Sequence, residues 1–121
     1  MSTTEENKAT VRKYFETLSQ AVVKAGFSSG CLLGNFGTEL STQSPLVARR
    51  VREAFAGWCD MLASVIAEAQ KAGDVSTRFS PESLAEFIID AWEGAILRAK
   101  LAKSRAALDV FLEVTFTRIL A

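Results

Sequence analysis

The sequence has no histidine among its 121 residues. This absence excludes Ser-His-Asp and Cys-His nucleophile pairs, histidine general bases, and the HExxH and ExxH metal motifs. Only a catalytic design without imidazole remains, such as one built on Cys31, and we therefore predict that the chain is not an enzyme. Cysteine is also scarce: Cys31 and Cys59 stand alone, which indicates free thiols rather than a disulfide framework.

Net charge and long apolar runs are also missing. Fourteen Lys and Arg residues balance fourteen Asp and Glu residues, so no global field favours nucleic acid or an anionic membrane. The N-terminal segment lacks the basic and apolar parts of a signal peptide, and no apolar run approaches the roughly 20 residues that span a bilayer. We predict a cytoplasmic protein with no membrane partner and no cofactor.

A metal site is not expected either. Four carboxylates on one side of a predicted helix invite that hypothesis, but carboxylate bundles that bind metal ions also use histidine and carboxylates from facing helices. The four residues are Glu82, Glu86, Asp90 and Glu93.

The sequence does contain helical periodicity. Apolar residues recur at spacings of three and four, and no strand-like alternation is present, so we predict a single all-α domain over residues 1–121. Ser44 with Pro45, and Ser80 with Pro81, are typical of helix starts, and Gly26 is well placed to end the first helix. The five predicted helices cover residues 6–25, 31–40, 45–72, 81 to about 103 and, after Ser104, a segment carrying Leu108 to Ile119.

The fourth and fifth predicted helices carry more apolar surface than one core requires, since a surface helix needs only a stripe of about 100°. The small residues Ala91, Gly94 and Ala95 would let a neighbouring helix approach closely. We predict a homodimer in which these helices of two chains form a four-helix bundle; the alternative is a fourth helix buried within its own chain. The predicted interface residues are Phe87, Ala91, Gly94, Ala95, Leu108, Phe111, Leu112, Thr115 and Ile119.

The order of these segments is similar to a known family. "GCLLGNFGTELS" precedes a long helix started by "SP", and "SPESLAEFIIDAWEGAILRAKLAKS" and a final amphipathic helix follow. From about Val11 to Leu120 the chain resembles the C-terminal effector-binding and dimerisation domain of TetR-type transcriptional repressors, and most closely the subgroup with a G-C-L stretch. The resemblance implies a five-helix domain whose last two helices form the dimer interface.

One departure from complete repressors of this kind concerns DNA. Their N-terminal helix-turn-helix has no counterpart before the first predicted helix, and the charge balance provides no basic surface for phosphate contacts. We therefore expect the DNA-binding domain to be absent and this chain to bind no DNA directly.

The resemblance also implies an apolar effector pocket, with the glycine–cysteine stretch at its wall. Cys31 and Lys100 match a sensor cysteine and its lysine partner, through which some members of the subgroup sense electrophiles or oxidants. A nearby ammonium lowers the pKa of a thiol and so favours the reactive thiolate; the alternative is that Cys31 packs as a small apolar residue, which we expect of Cys59. The predicted pocket residues are Tyr14, Phe15, Leu18, Leu32, Asn35, Phe36, Trp58, Met61, Leu62, Trp92, Glu93 and Ile96.

Two functional hypotheses follow. The first is a homodimeric regulatory domain that senses a small apolar or electrophilic effector through a site with apolar walls and a few polar groups. The second is a stand-alone helical homodimer that serves as an interaction module without a small-molecule site.

Overall fold

The computed structural model describes residues 3–27 and 44–121, with side chains from residue 8 onward. All regular elements in these ranges are helices, which confirms the all-α prediction. The predicted second helix, 31–40, lies outside the described residues. The elements are α1 (Thr3–Lys24), α2 (Pro45–Lys71), α3 (Pro81–Ala102) and α4 (Ala106–Val114), which continues into a π-helical turn, Thr115–Ile119.

Helices α2 and α3 begin where the serine–proline pairs predict. The hydroxyl of Ser44 accepts a hydrogen bond from the Val47 N–H at 3.3 Å, and the hydroxyl of Ser80 accepts one from the Ser83 N–H at 3.1 Å. In both helices proline occupies the first turn, where its missing N–H costs no hydrogen bond. Local sequence signals therefore fix both starts.

The ends of α1 and α3 use left-handed backbone. After α1, Gly26 has φ 68° and Phe27 has φ 60°, and the Phe27 N–H donates to the Val22 carbonyl at 3.1 Å. After α3, Lys103 adopts φ 50°, and the Ser104 hydroxyl accepts from the Ala106 N–H at 3.2 Å as α4 begins. Gly26 thus ends the first helix as predicted, because glycine tolerates the left-handed backbone conformation.

The last predicted helix is regular only as far as Val114. Beyond that residue the chain widens into a π-helical turn, and the Leu120 N–H donates to the Thr115 carbonyl five residues earlier, at 2.8 Å. Thr115, Phe116 and Leu120 are all buried. The C-terminal segment thereby closes one end of the core.

Helix α3 is the central element of the described fold, packing against α2 on one side and α4 on the other, while α1 contacts both α2 and α4. Eight of its residues are buried within the single chain: Leu84, Ala85, Ile88, Ile89, Trp92, Ala95, Ile96 and Ala99.

Three aromatic rings from three helices meet in this core. The ring centroids of Phe15 in α1 and Trp92 in α3 lie 5.4 Å apart, and Phe111 in α4 lies 5.2 Å from Phe15 and 5.4 Å from Trp92. The three rings meet at interplanar angles of 58°, 63° and 61°, the inclined geometry that aromatic pairs prefer. All three are buried, so this aromatic triad joins α1, α3 and α4.

Candidate functional site

The residues predicted to line an effector pocket fall into two groups. Phe15, Leu62, Trp92 and Ile96 are buried members of one apolar core. Phe15 and Trp92 belong to the aromatic triad, together with Phe111, which the sequence analysis placed at the dimer interface instead. The structure therefore unites residues that were predicted to serve two different surfaces.

The second group lies at the edge of that core. Tyr14 is exposed and stands edge-on to Phe15, with ring centroids 5.3 Å apart and an interplanar angle of 79°. Trp58 is half-buried and stacks on Phe55 at 6.3 Å. Met61 is exposed. These side chains place partly covered aromatic and thioether groups on α1 and α2, two helices that pack against each other.

Two further pocket residues combine apolar contact with a polar group or partial exposure. Leu18 is half-buried and packs against the core. Glu93 is half-buried, and its Oε1 oxygen is shielded from solvent.

Three predicted pocket residues lie outside the described residues, as does the predicted sensor Cys31; the three are Leu32, Asn35 and Phe36. The predicted partner of Cys31, Lys100, is half-buried in the last turn of α3.

The predicted interface residues of the last helix lie in the core of a single chain. Leu108, Phe111 and Leu112, with Thr115 just beyond, are buried within a single chain, because α1 and α3 already cover that side of the helix. Ala95 of α3 is buried in the same way. The apolar stripe of the last helix thus packs in the core of its own chain, and the role of these five residues at a dimer interface stays a prediction. Ile119 is half-buried against the core.

A different set of apolar side chains remains uncovered on α3 and α4. Phe87, Leu97 and Leu101 on α3, and Val110 and Val114 on α4, are between 45% and 77% exposed. We call these five residues the exposed apolar face. The predicted interface residue Phe87 belongs to it, Gly94 is exposed, and Ala91 is half-buried.

The thiol of Cys59 sits in an unreactive setting. Cys59 is half-buried and packs against the core between α2 and α3, which confirms its predicted packing role. Burial raises the pKa of this thiol above its ordinary value, and the nearby carboxylates of Glu86, Asp90 and Asp60 raise it further. Since the thiolate is the reactive form of a thiol, these surroundings disfavour reaction of Cys59 at neutral pH.

Replacing Glu86 by glutamine is expected to accelerate alkylation of Cys59 at neutral pH. Removing the carboxylate charge with the largest effect on this thiol lowers the pKa of the thiol towards its ordinary value, so the thiolate fraction rises by about a few-fold. The rate is measured with N-ethylmaleimide by mass spectrometry of the Cys59 peptide across pH. Glu53→Gln, on an exposed part of α2, is the control. An unchanged pH profile in Glu86→Gln would show that this charge does not act on the thiol.

The described residues form neither a metal-binding cluster nor a membrane-spanning helix. Within residues 3–27 and 44–121, no three His, Cys, Asp or Glu side chains are grouped so as to hold a metal ion. Nor does any helix in this part of the chain combine the length and apolar character that crossing a membrane requires.

The comparisons with known proteins agree on one family. The family model described as "Tetracyclin repressor-like, C-terminal domain" matches residues 8–115. The HTH-type transcriptional repressor DhaR of Mycobacterium sp. (strain GP1) is 34% identical over 119 residues, which are 98% of this chain and 60% of that protein. The transcriptional regulator AcuR of Cereibacter sphaeroides (strain ATCC 17023) is 34% identical over 93 residues, 77% of this chain and 42% of that protein.

A solved structure extends the agreement to three dimensions. The crystal structure of the regulatory protein TetR from Rhodobacter sphaeroides matches with a TM-score of 0.87 at 32% identity, covering 95% of this chain and 60% of that one. The chain thus spans 60% or less of the length of these relatives. Both curated relatives are named as transcriptional regulators, in agreement with the prediction that the chain is not an enzyme. The sequence match and the shared fold show that this chain belongs to the TetR family, as its C-terminal domain.

Proposed function

We propose that the chain is the effector-sensing and dimerisation domain of a TetR-type transcriptional regulator. The observation that carries the dimer is the exposed apolar face. Helices α3 and α4 complete the core of one chain and still present Phe87, Leu97, Leu101, Val110 and Val114 to solvent. Exposed apolar side chains on two helices that pack against each other favour an interaction site at this face. A second copy covers it, and the α3 and α4 helices of the two chains form a four-helix bundle.

The sensing role rests on the partly covered side chains of α1, α2 and α3. Tyr14, Trp58 and Met61 offer apolar and aromatic contact, and Glu93 adds a carboxylate with one shielded oxygen. Small-molecule sites typically combine apolar walls with a few such polar groups. A small apolar or electrophilic effector that binds here favours one of two arrangements of α1 and α2.

In a complete regulator, that change would alter the separation of the two DNA-binding heads, so effector binding and DNA binding would be linked. The linkage is reciprocal: effector binding changes the affinity for DNA, and DNA binding changes the affinity for the effector by the same factor. Effector and operator would then compete or cooperate through the α1 and α2 arrangement.

Cys31 is the proposed thiol sensor, with Lys100 as the group that favours its thiolate. The support is chemical: an ammonium close to a thiol lowers the pKa of that thiol, and Lys100 is half-buried at the end of α3. Cys59 provides an internal reference, because its surroundings raise the pKa of its thiol. One protein thus holds a candidate sensor and an unreactive thiol for comparison.

Limiting N-ethylmaleimide at neutral pH is expected to label Cys31 at least about tenfold faster than Cys59, because one unit of pKa changes the thiolate fraction about tenfold. Intact-mass analysis and peptide mapping give both rates in one sample. Lys100→Met is expected to slow Cys31 several-fold, whereas Lys71→Met, at the end of α2, leaves it unchanged. Equal slow labelling of both thiols would contradict the sensor role, and a rate independent of Lys100 would contradict the partnership alone.

A further inference from the structure

The exposed side of α3 is self-complementary about one residue, Gly94. Asp90 lies four residues before Gly94 and Arg98 four residues after it, and both are exposed. Phe87 lies seven residues before it and Leu101 seven residues after it, and both belong to the exposed apolar face. Residues at spacings of four and seven share one side of a helix. Four residues from Gly94, an acid on one side thus corresponds to a base on the other. Seven residues from it, a phenylalanine corresponds to a leucine.

Nothing in the described part of the chain requires a glycine at position 94. It lies in the interior of α3, where glycine is less favourable than alanine. It has no left-handed backbone, since the positive-φ residues among those described are Gly26, Phe27, Gly73 and Lys103. Among the residues that the structure describes, none has an atom within 4 Å of a Cβ placed on Gly94. The space that glycine leaves open at this position therefore faces outward, where another helix can approach closely.

We propose that α3 of two copies crosses antiparallel with Gly94 at the two-fold axis, so that Asp90 pairs with the partner's Arg98. This inference rests on the dimer proposed above and specifies its register. At a rise of ~1.5 Å per residue, Asp90 and Arg98 lie ~6 Å on opposite sides of Gly94. Reversing the second helix about the axis brings Asp90 level with the partner's Arg98, and Phe87 level with the partner's Leu101. A two-fold axis makes each contact occur twice.

The charges also select the direction of the crossing. A parallel pairing in register would set Asp90 beside the partner's Asp90 and Arg98 beside the partner's Arg98, and like charges at an interface disfavour that arrangement. The antiparallel crossing replaces both repulsions by attractions. The apolar contacts supply affinity, and the two charge pairs supply register and partner choice.

Charge reversal tests this register. Asp90→Arg and Arg98→Asp each turn two attractive pairs into two repulsive ones, so each is expected to raise the dimer dissociation constant roughly tenfold to a hundredfold. The double variant Asp90→Arg/Arg98→Asp restores both pairs with their signs exchanged and is expected to return within about threefold of the wild type. Sedimentation equilibrium at moderate salt gives the constants, and circular dichroism confirms that each variant is folded. Arg78→Asp, in the loop before α3, changes the net charge of the chain as Arg98→Asp does and is the control for that variant.

Mixing the two single variants provides a second readout. Asp90→Arg carries two bases on this face and Arg98→Asp carries two acids, so their heterodimer is expected to exceed both homodimers in native mass spectrometry.

The Gly94→Ala variant provides a third test of the register. It is expected to raise the thermal stability of the helix, yet to weaken the dimer, because the added Cβ separates the crossing helices.

The outcomes distinguish the register from the dimer itself. A wild-type chain that stays monomeric at all concentrations overturns the dimer of the proposed function and the register with it. A wild-type dimer that is unaffected by either reversal, or not restored by the double variant, overturns the register and leaves the dimer standing. Loss in the single variants, rescue in the double variant and a preferred heterodimer establish the Asp90–Arg98 pairing.

Discussion

Replacing Trp92 by alanine is expected to lower the free energy of unfolding by about 3–5 kcal/mol. Trp92 is buried at the centre of α3, and its ring contacts both Phe15 and Phe111. Truncation removes the largest buried side chain and leaves a cavity that three helices cannot close without moving. Since domains are stable by only about 5–15 kcal/mol, this loss is a large part of the total. Urea denaturation followed by circular dichroism, at one fixed protein concentration, measures it.

Trp58→Ala is the matched control for this prediction. Trp58 is a residue of the same type on α2, but it is half-buried at the edge of the core and stacks on Phe55. We expect its replacement to cost less than half as much, because less apolar area leaves the solvent-protected interior. Equal losses in the two variants would contradict the assignment of Trp92, Phe15 and Phe111 as the triad that joins α1, α3 and α4.

Placing glutamate at both Phe87 and Leu101 is expected to weaken the dimer at least about a thousandfold. Each substitution removes a large apolar side chain from the proposed interface, where such anchors contribute about 2–4 kcal/mol. In the antiparallel crossing, the new carboxylate at 87 also lies beside the partner's new carboxylate at 101. The monomer should remain folded, because both positions are exposed in the single chain and surface substitutions usually change stability by less than about 0.5 kcal/mol.

The chain offers a closely matched control for this pair. Leu46 and Phe79 are also a leucine and a phenylalanine, 54% and 59% exposed, but they lie outside the exposed apolar face. Leu46→Glu/Phe79→Glu adds the same two charges and removes the same side chains. The dissociation constant, measured by sedimentation, should be that of the wild type within about twofold. Equal weakening by both pairs would indicate a general effect of charge rather than a defined interface.

The helices that the sequence predicted correctly are those with strong local signals. The hydroxyls of Ser44 and Ser80 cap α2 and α3, and a proline follows each serine at the first position of the helix. Neighbouring residues therefore suffice to locate those starts. Helix ends are less sharply encoded, and α1 begins at Thr3 rather than at residue 6. The π-helical turn after Val114 depends on how Phe116 and Leu120 fit the core. Helical periodicity does not contain that information.

Which side of each helix packs in the core was harder to predict than where the helices lie in the sequence. Periodicity showed that the last helix has an apolar stripe through Leu108 and Phe111, but not that Phe15 of α1 covers it. These residues serve the core of their own chain, and their place at a dimer interface stays a prediction. The prediction of surplus apolar surface led to Phe87 and its neighbours. The carboxylates around Cys59 come partly from α3, and only the packing of α2 on α3 brings them there.

The most direct test of the account is the mass of the wild-type chain in dilute solution, measured by sedimentation equilibrium down to the submicromolar range. We expect twice the mass of one chain, with dissociation only on further dilution or in the Phe87→Glu/Leu101→Glu variant. A folded, soluble chain with the mass of a single copy at every concentration would contradict it, since the exposed apolar face would then need no partner.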